Sequence, residues 1–322
     1  MKKDYQIGEE IRTWSVCIPD NAAKEVEKTL ASTWINTGKK EKEFRNKICQ
    51  RFKSPFAVAC TSGTDALKIA LKSLDIGPGD EVISTAYTFM ATNTSILEIG
   101  AKPIFADIQI DTFNIDPISV EQKITSKTKA IMCVHYAGNP ADLDELREVA
   151  NKYDLPIIED SAHAMASEYK GNPIGSTGDV ATFSFQCVKI VTCGDGGVIT
   201  TTNEDRYKKM KKLSWYGIDR EEKKTDILDP LPNEPEFLGY KSNMNDITAT
   251  LACTAIDHID IPLNHRRKIA TRYISELSDL NKVKLINYKN YWKPNYQIFP
   301  ILVENRIDFA RYMWKKGIQV NI

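Results

Sequence analysis

Phe56-Ala57-Val58-Ala59-Cys60-Thr61-Ser62-Gly63-Thr64-Asp65-Ala66-Leu67 decides the fold class. An apolar run makes a buried strand, small polar residues turn the chain, and an amphipathic segment over 64–74 reads as a helix. The unit repeats outward. Residues 81–84, 102–106, 129–134 and 156–159 read as further buried strands, with helices predicted over 91–99, 117–123 and 142–153. Strands alternating with helices across short connections imply an α/β fold with a mixed, mostly parallel sheet and helices on both faces. Gly77-Pro78-Gly79-Asp80 and Gly171-Asn172-Pro173 are turn signals. From 214 to 240 the chain is rich in charge, proline and glycine, which predicts an excursion over the surface or across an interface. Helices over 245–259 and 263–280, strands over 283–286 and 297–303, and a helix over 307–316 then read as a small α+β domain. The expected division is a large domain over 1–255 and a small one over 256–322. Residues 317–322 read as the opening of another strand, so the small domain is expected to be incomplete and less stable than an extended form.

Composition narrows the function. Lys+Arg and Asp+Glu are both 43, so no global field favours nucleic acid or an anionic membrane, and any phosphate needs a local site. No apolar run is long enough to span a bilayer, and Met1-Lys2-Lys3-Asp4 does not open a signal peptide. The 7 cysteines and 4 histidines are dispersed, without CxxC or HExxH, so neither a disulfide framework nor a metal site is indicated. The expectation is a reduced, cytoplasmic enzyme.

Chemistry concentrates after the strand ends. Ser184-Phe185-Gln186-Cys187-Val188-Lys189 leads through 190–193 into Gly194-Asp195-Gly196-Gly197. A solvated surface lysine is the ordinary reading, and the glycines alone read as a hairpin. Apolar flanks and a glycine cluster instead suit an amine that loses its proton by desolvation and forms Schiff bases. Pro156-Ile157-Ile158-Glu159-Asp160-Ser161-Ala162-His163-Ala164 runs into acid at its carboxyl end, where open α/β sheets bind ligands. Asp160 is either a helix N-cap or the carboxylate that keeps a pyridine nitrogen protonated, and His163 either a structural histidine or a cofactor contact. Gly63, Thr64 and Asp65 open a helix whose N–H groups suit a phosphate, as plain N-capping also would. Phe89 is a core aromatic or a face for a flat ring. There is no Walker lysine and no GxGxxG after the first strand.

In this order the motifs resemble one family, the DegT/DnrJ/EryC1/StrS sugar aminotransferases. The likeness runs from about residue 8 to the end. It rests on 63–67, on Ile76-Gly77-Pro78-Gly79-Asp80-Glu81-Val82 and Val134-His135-Tyr136-Ala137-Gly138, on 159–164 and 183–197, and on Gly239-Tyr240-Lys241-Ser242-Asn243. The resemblance implies a pyridoxal 5'-phosphate (PLP) enzyme of the aspartate-aminotransferase fold, fold type I. It implies Lys189 as the cofactor-bearing lysine, Asp160 as the pyridinium partner, His163 facing the cofactor and Phe89 stacked on it. Thr64, Asp65 and Ser184 would hold the phosphate. Asn243 would reach it from the second subunit of a homodimer with shared active sites, its local alternative being to cap the helix that starts near Asn245. The implied reaction aminates a nucleotide-linked keto-sugar with glutamate as donor, for polysaccharide or glycoconjugate synthesis. Alternatives are sugar dehydration, which some relatives perform with histidine in place of the lysine, and a non-catalytic binding protein of the same fold.

Overall fold

The structure, a computed structural model, describes residues 11–219, 221 and 234–321. Two helices precede the first strand, α1 (Ala22–Ala31) and α2 (Lys39–Phe52). Then follow β1 (Phe56–Cys60), α3 (Gly63–Ser73), β2 (Glu81–Thr85), α4 (Met90–Glu98), β3 (Lys102–Ala106), α5 (Pro117–Lys123), β4 (Thr128–Val134), α6 (Leu143–Lys152) and β5 (Ile157–Asp160). A hairpin of β6 (Glu168–Tyr169) and β7 (Asn172–Pro173) leads to β8 (Val180–Ser184), β9 (Gly197–Thr201) and α7 (Glu204–Ser214). The remainder is α8 (Asp246–Asp257), α9 (Asp260–Leu277), β10 (Val283–Leu285), β11 (Trp292–Lys293), β12 (Ile301–Val303) and α10 (Arg306–Lys315). Most of the excursion expected over 214–240 lies outside the described residues. Its two ends close on each other, Trp215 bridging to Lys241. α8 runs through the domain boundary expected after residue 255.

The main sheet has 7 strands in the order β1-β9-β8-β5-β4-β2-β3. Every neighbouring pair is parallel except the two made by β9, so β9 alone runs against the rest. The expected fold class is the one found. Alternate residues on each strand enter opposite cores. Val58, Val82, Ala130, Ile158 and Ile199 pack with Leu67, Leu71 and Met210 under α3 and α7. On the other face Ala57, Phe183 and Val198 pack with Phe44, Phe52 and Ala252, and Ile83, Ile131 and Ile157 pack with Leu146 and Ala150. A sheet covered on both faces needs strands apolar throughout, which is why they are visible as unbroken runs.

β8 and β9 form an antiparallel hairpin in which Ser184 pairs with Gly197, and its loop, 185–196, carries Lys189. The hairpin expected at the glycines is found, and Lys189 lies in its loop. The strand expected over 297–303 shrinks to β12, because Tyr296 takes a left-handed φ of 53° and Ile298 donates to Ala137 O rather than to a ladder.

α2 is mostly charged, yet Phe44, Ile48 and Phe52 recur every fourth residue and are buried. Phe52 stacks on Phe183 at 4.7 Å and Phe44 meets Phe185 edge-on at 5.1 Å, fixing the strand that leads to Lys189. The start of α2 is held by Asp246. Its Oδ1 accepts from Gly38 N (2.8 Å) and Glu41 N (3.0 Å), and its Oδ2 from Lys40 N (3.2 Å). A buried carboxylate thus sits on the positive end of α2 while standing in the first turn of α8. Asp246→Ala should cost about 2–3 kcal/mol and lower the melting temperature by roughly 3–5 °C. A thermal melt checks this, and a fall of less than about 2 °C would mean that water replaces the carboxylate without loss.

Candidate active site

The parallel strands end together, and the loops beyond their carboxyl ends carry the candidate residues. Thr61–Thr64 follow β1, Tyr87–Phe89 follow β2, His135 follows β4, Asp160 ends β5 with His163 beyond it, and Ser184 ends β8 with Lys189 beyond it. This is the sheet edge where such folds bind ligands.

Lys189 stands in a turn closed by its own N–H donating to Gln186 O (2.9 Å). Burial pushes its ammonium below the usual lysine range, and the charge of Asp160 acts against that shift. A lowered pKa leaves a larger share of nucleophilic amine near neutral pH than a surface lysine has. Asp160 is buried, and both of its oxygens accept. Oδ2 takes the Thr92 hydroxyl at 2.7 Å and Oδ1 takes Ala162 N at 3.2 Å. No helix starts there, since turns follow, so Asp160 is not a helix cap.

His163 is a cofactor-side candidate whose Nδ1 is buried without a hydrogen-bond partner. Burial, and after it the charge of Lys189, push its imidazole down to about 3. The ring is therefore neutral at physiological pH.

At the other end of the cleft, Ser62 caps α3, its hydroxyl accepting from Asp65 N at 3.0 Å. The N–H groups of Gly63 and Thr64 are left without a protein acceptor among the described residues. A Cβ on Gly63 would stand 2.9 Å from Ser184 Cβ, and one on Gly197 would stand 2.1 Å from Ser62 O. The backbones of β1, β8 and β9 therefore close on one another around donors aimed outward, a cradle suited to phosphate. Asp65 lies in the same loop, but its carboxylate faces Thr61, Ser62 and Lys68. Burial raises its pKa, and the hydrogen bonds from Thr61 and Lys68 outweigh that and hold it below the usual range. Its carboxylate is thus engaged by the hydroxyls of Thr61 and Ser62 and by Lys68.

Phe89 is 69% exposed at the start of α4, its face open to a flat ring. After β2 and β4, Tyr87, Phe113 and Tyr136 form an aromatic cluster, with the Tyr87 and Tyr136 hydroxyls 3.2 Å apart. Asn243 lies beside Cys60 of its own chain, its Oδ1 accepting from Lys241 Nζ at 2.6 Å and its Nδ2 donating to Thr37 Oγ1. It does not cap α8. Asn245 does, accepting from Thr248 N at 2.9 Å.

Two groups in the site were not read from sequence. Thr88 and Thr92, one helical turn apart, share a hydrogen bond of 2.8 Å, and Thr92 passes its proton toward Asp160. The only sequence signal was the pair of hydroxyls at i and i+4 after a strand. His135 and Glu159 are both buried, with Nε2 and Oε2 2.9 Å apart, while His135 Nδ1 accepts from Ala141 N at 2.9 Å. That acceptance places the ring proton on Nε2, donated to Glu159, and ties β4 to β5 one residue before Asp160.

The comparisons agree with this geometry. The sequence pattern of the DegT/DnrJ/EryC1/StrS aminotransferase family matches residues 16–322. The uncharacterized protein MJ1066 of Methanocaldococcus jannaschii is 38% identical over 313 residues, covering 95% of this chain and 81% of that protein. The sugar aminotransferase CalS13 of Micromonospora echinospora superposes with a TM-score of 0.91 at 28% identity, over 96% of this chain and 85% of its own. Spr1654 of Streptococcus pneumoniae in its PLP form gives 0.89 at 33% identity, over 97% and 84%.

The depressed imidazole has a consequence for stability. As pH falls from about 6.5, an unfolded chain takes up a proton at His163, whereas the native one does so only near 3. Across that window His163 withdraws up to about 1.4 kcal/mol of stability per pH unit. His163→Gln should therefore flatten the decline in stability between about pH 6 and pH 4, measured by denaturant unfolding without added cofactor. Parallel curves for parent and variant would mean that the native imidazole carries a proton.

Proposed function

Since the chain belongs to the DegT/DnrJ/EryC1/StrS aminotransferase family, we propose that it moves an amino group from glutamate to the keto carbon of a nucleotide-linked deoxysugar, using PLP borne on Lys189. The observation that carries this reading is a half-buried lysine of lowered pKa, on the loop after β8 and within reach of the Asp160 charge at the carboxyl ends of parallel strands. The residues fit the cofactor. The orphaned Nδ1 of His163 and the cradle at Gly63 and Ser184 match its polar edge and its phosphate. Lys189 would bear it, Asp160 would face its ring nitrogen, Phe89 would cover its face, and Gly63, Thr64 and Ser184 would hold its phosphate, joined by Asn243 of the partner subunit.

When bound, PLP supplies an electron sink for the charge left at the amino-acid Cα. The chain's own groups do the rest. Asp160, whose oxygens accept from Thr92 and Ala162, would face the ring nitrogen and favour its protonated form. Lys189 Nζ would take up the proton from the amino-acid Cα and give it back. Neutral His163 adds no second positive charge beside that amine. The same steps in reverse order deliver nitrogen to the keto-sugar.

Lys189→Ala should lower transamination on the order of 10³-fold or more while the chain stays folded. Assay against keto-sugar nucleotides with glutamate checks it, and turnover within about tenfold of the parent would remove Lys189 from the reaction. The shared site has its own test. Lys189→Ala and Asn243→Ala chains, each weakly active alone, should regain activity when mixed. One of the two sites in a mixed dimer then holds an intact lysine and an intact partner asparagine. Mixed dimers that form and stay inactive would confine the site to one chain.

A further inference from the structure

Lys189 is gripped from outside its own loop by a residue near the C-terminal end of the chain. Gln297 Oε1 accepts from Ile190 N at 3.1 Å, and Gln297 Nε2 donates to Val188 O at 2.9 Å. These are the peptide groups on either side of Lys189, and their two planes set its φ and ψ. One planar amide holds both, as a single residue of a neighbouring parallel strand would. The other hydrogen bonds of 186–191 among the described residues stay within the hairpin, such as Val188 N to Gln186 Oε1 at 3.0 Å.

Gln297 is itself fixed. Its N–H donates to Asn295 Oδ1 at 2.8 Å, and the Arg266 guanidinium donates to its carbonyl at 2.9 Å. Buried Asn295 donates through Nδ2 to Met165 O at 2.8 Å and through its N–H to Ser167 Oγ at 3.1 Å. Ile298 N donates to Ala137 O at 3.3 Å. One short segment, 295–298, thus touches the loop after β4, the loop after His163 and the loop that carries Lys189.

We propose that Gln297 is a positioning residue for Lys189, setting the direction from which its amine reaches the cofactor carbonyl. The proposal deepens the function given above and rests on Lys189 as the cofactor-bearing residue. In the step concerned, the neutral amine adds to the pyridoxal aldehyde, one C=N bond forms and one water leaves. A lysine side chain is long and flexible, so the fixed part must be its backbone. Misplacing a reacting group by about 1 Å costs on the order of 10²-fold.

The test uses the full-length chain as parent, Gln297→Met and Gln297→Glu. Methionine keeps the length and removes both hydrogen bonds, whereas glutamate keeps an acceptor for Ile190 N and loses the donor to Val188 O. Without added PLP, amide exchange at Ile190 should be about tenfold faster in Gln297→Met and near the parent rate in Gln297→Glu. The rate at which PLP attaches to Lys189, trapped by borohydride and mapped by peptide mass, should fall roughly 10- to 100-fold in Gln297→Met and less in Gln297→Glu. Non-covalent PLP affinity, measured in a Lys189→Ala background, should not change when Gln297→Met is added, a pattern that general loosening of the site would not produce. Attachment within about threefold of the parent, or an equal loss of non-covalent affinity, overturns the proposal. If the parent's label maps to another lysine, the assignment of Lys189 fails and the proposal with it. A label on Lys189 with an unchanged rate sinks Gln297 alone. If Gln297→Met does not fold, Gln297→Glu decides by the same attachment rate, with the parent rate as the refuting outcome.

Discussion

A lysine amine near neutral pH is almost entirely protonated in water, and the desolvation of Lys189 is what the arrangement around it serves. Burial favours the neutral amine, while the charge of Asp160 favours the ammonium. The two demands are met by keeping the carboxylate at the end of β5 and the amine on the β8–β9 hairpin, close enough to feel each other's charge without an ion pair being described between them. The hairpin in turn depends on packing. Phe183 and Phe185, which bracket Ser184, are held by Phe52 and Phe44 of α2, and each such burial contributes about 1.5–3 kcal/mol. α2 starts on the carboxylate of Asp246. A chain of contacts therefore runs from a helix cap near the start of α8, through an aromatic cluster, to the loop that carries Lys189.

What was legible beforehand follows from the range of each interaction. β1, β3 and α5 have the bounds expected of them, and the other elements from β2 to β5 differ by a residue or so at their ends, because a sheet covered on both faces writes its strands as apolar runs. The antiparallel course of β9 was legible only through the hairpin signal of Gly194–Gly197, since Gly197–Thr201 itself reads alike in either sense. α2 hid behind its charge, although Phe44, Ile48 and Phe52 were spaced for a helix. Lys189, Asp160 and His163 stood out because each follows a strand within the same local stretch. Thr92 and Gln297 did not, because their partners lie 68 and 107 residues away and no spacing marks a hydroxyl or an amide for a distant acceptor. Asn243 shows the intermediate case. Its type invited a helix cap, and the cap proved to be Asn245, two residues on.

The site also has two ends of unlike texture. Toward α3 it is backbone on backbone, with Gly63 over Ser184 and Gly197 over Ser62. Toward α4 and the loop after β4 it is a cluster of rings, Tyr87, Phe113 and Tyr136, with Phe89 and Met90 exposed at the start of α4. A Cβ added at Gly63 or Gly197 would stand 2.9 Å or 2.1 Å from its neighbour, too close for even a methyl group, whereas rings packed at 4.9–5.8 Å tolerate exchange of one large side chain for another.

That difference bears on how such a protein can diverge. A chain acquiring a new substrate must change some residues and keep others, and here the free volume decides which are which. The glycine-lined corner is frozen by geometry, because any side chain added there separates three strand ends at once. The aromatic side has slack, and its residues sit on loops rather than in the sheet. Any change of large side chain is thereby easier at the aromatic cluster than at the glycine-lined corner, which fixes where the architecture can vary without moving the strand ends.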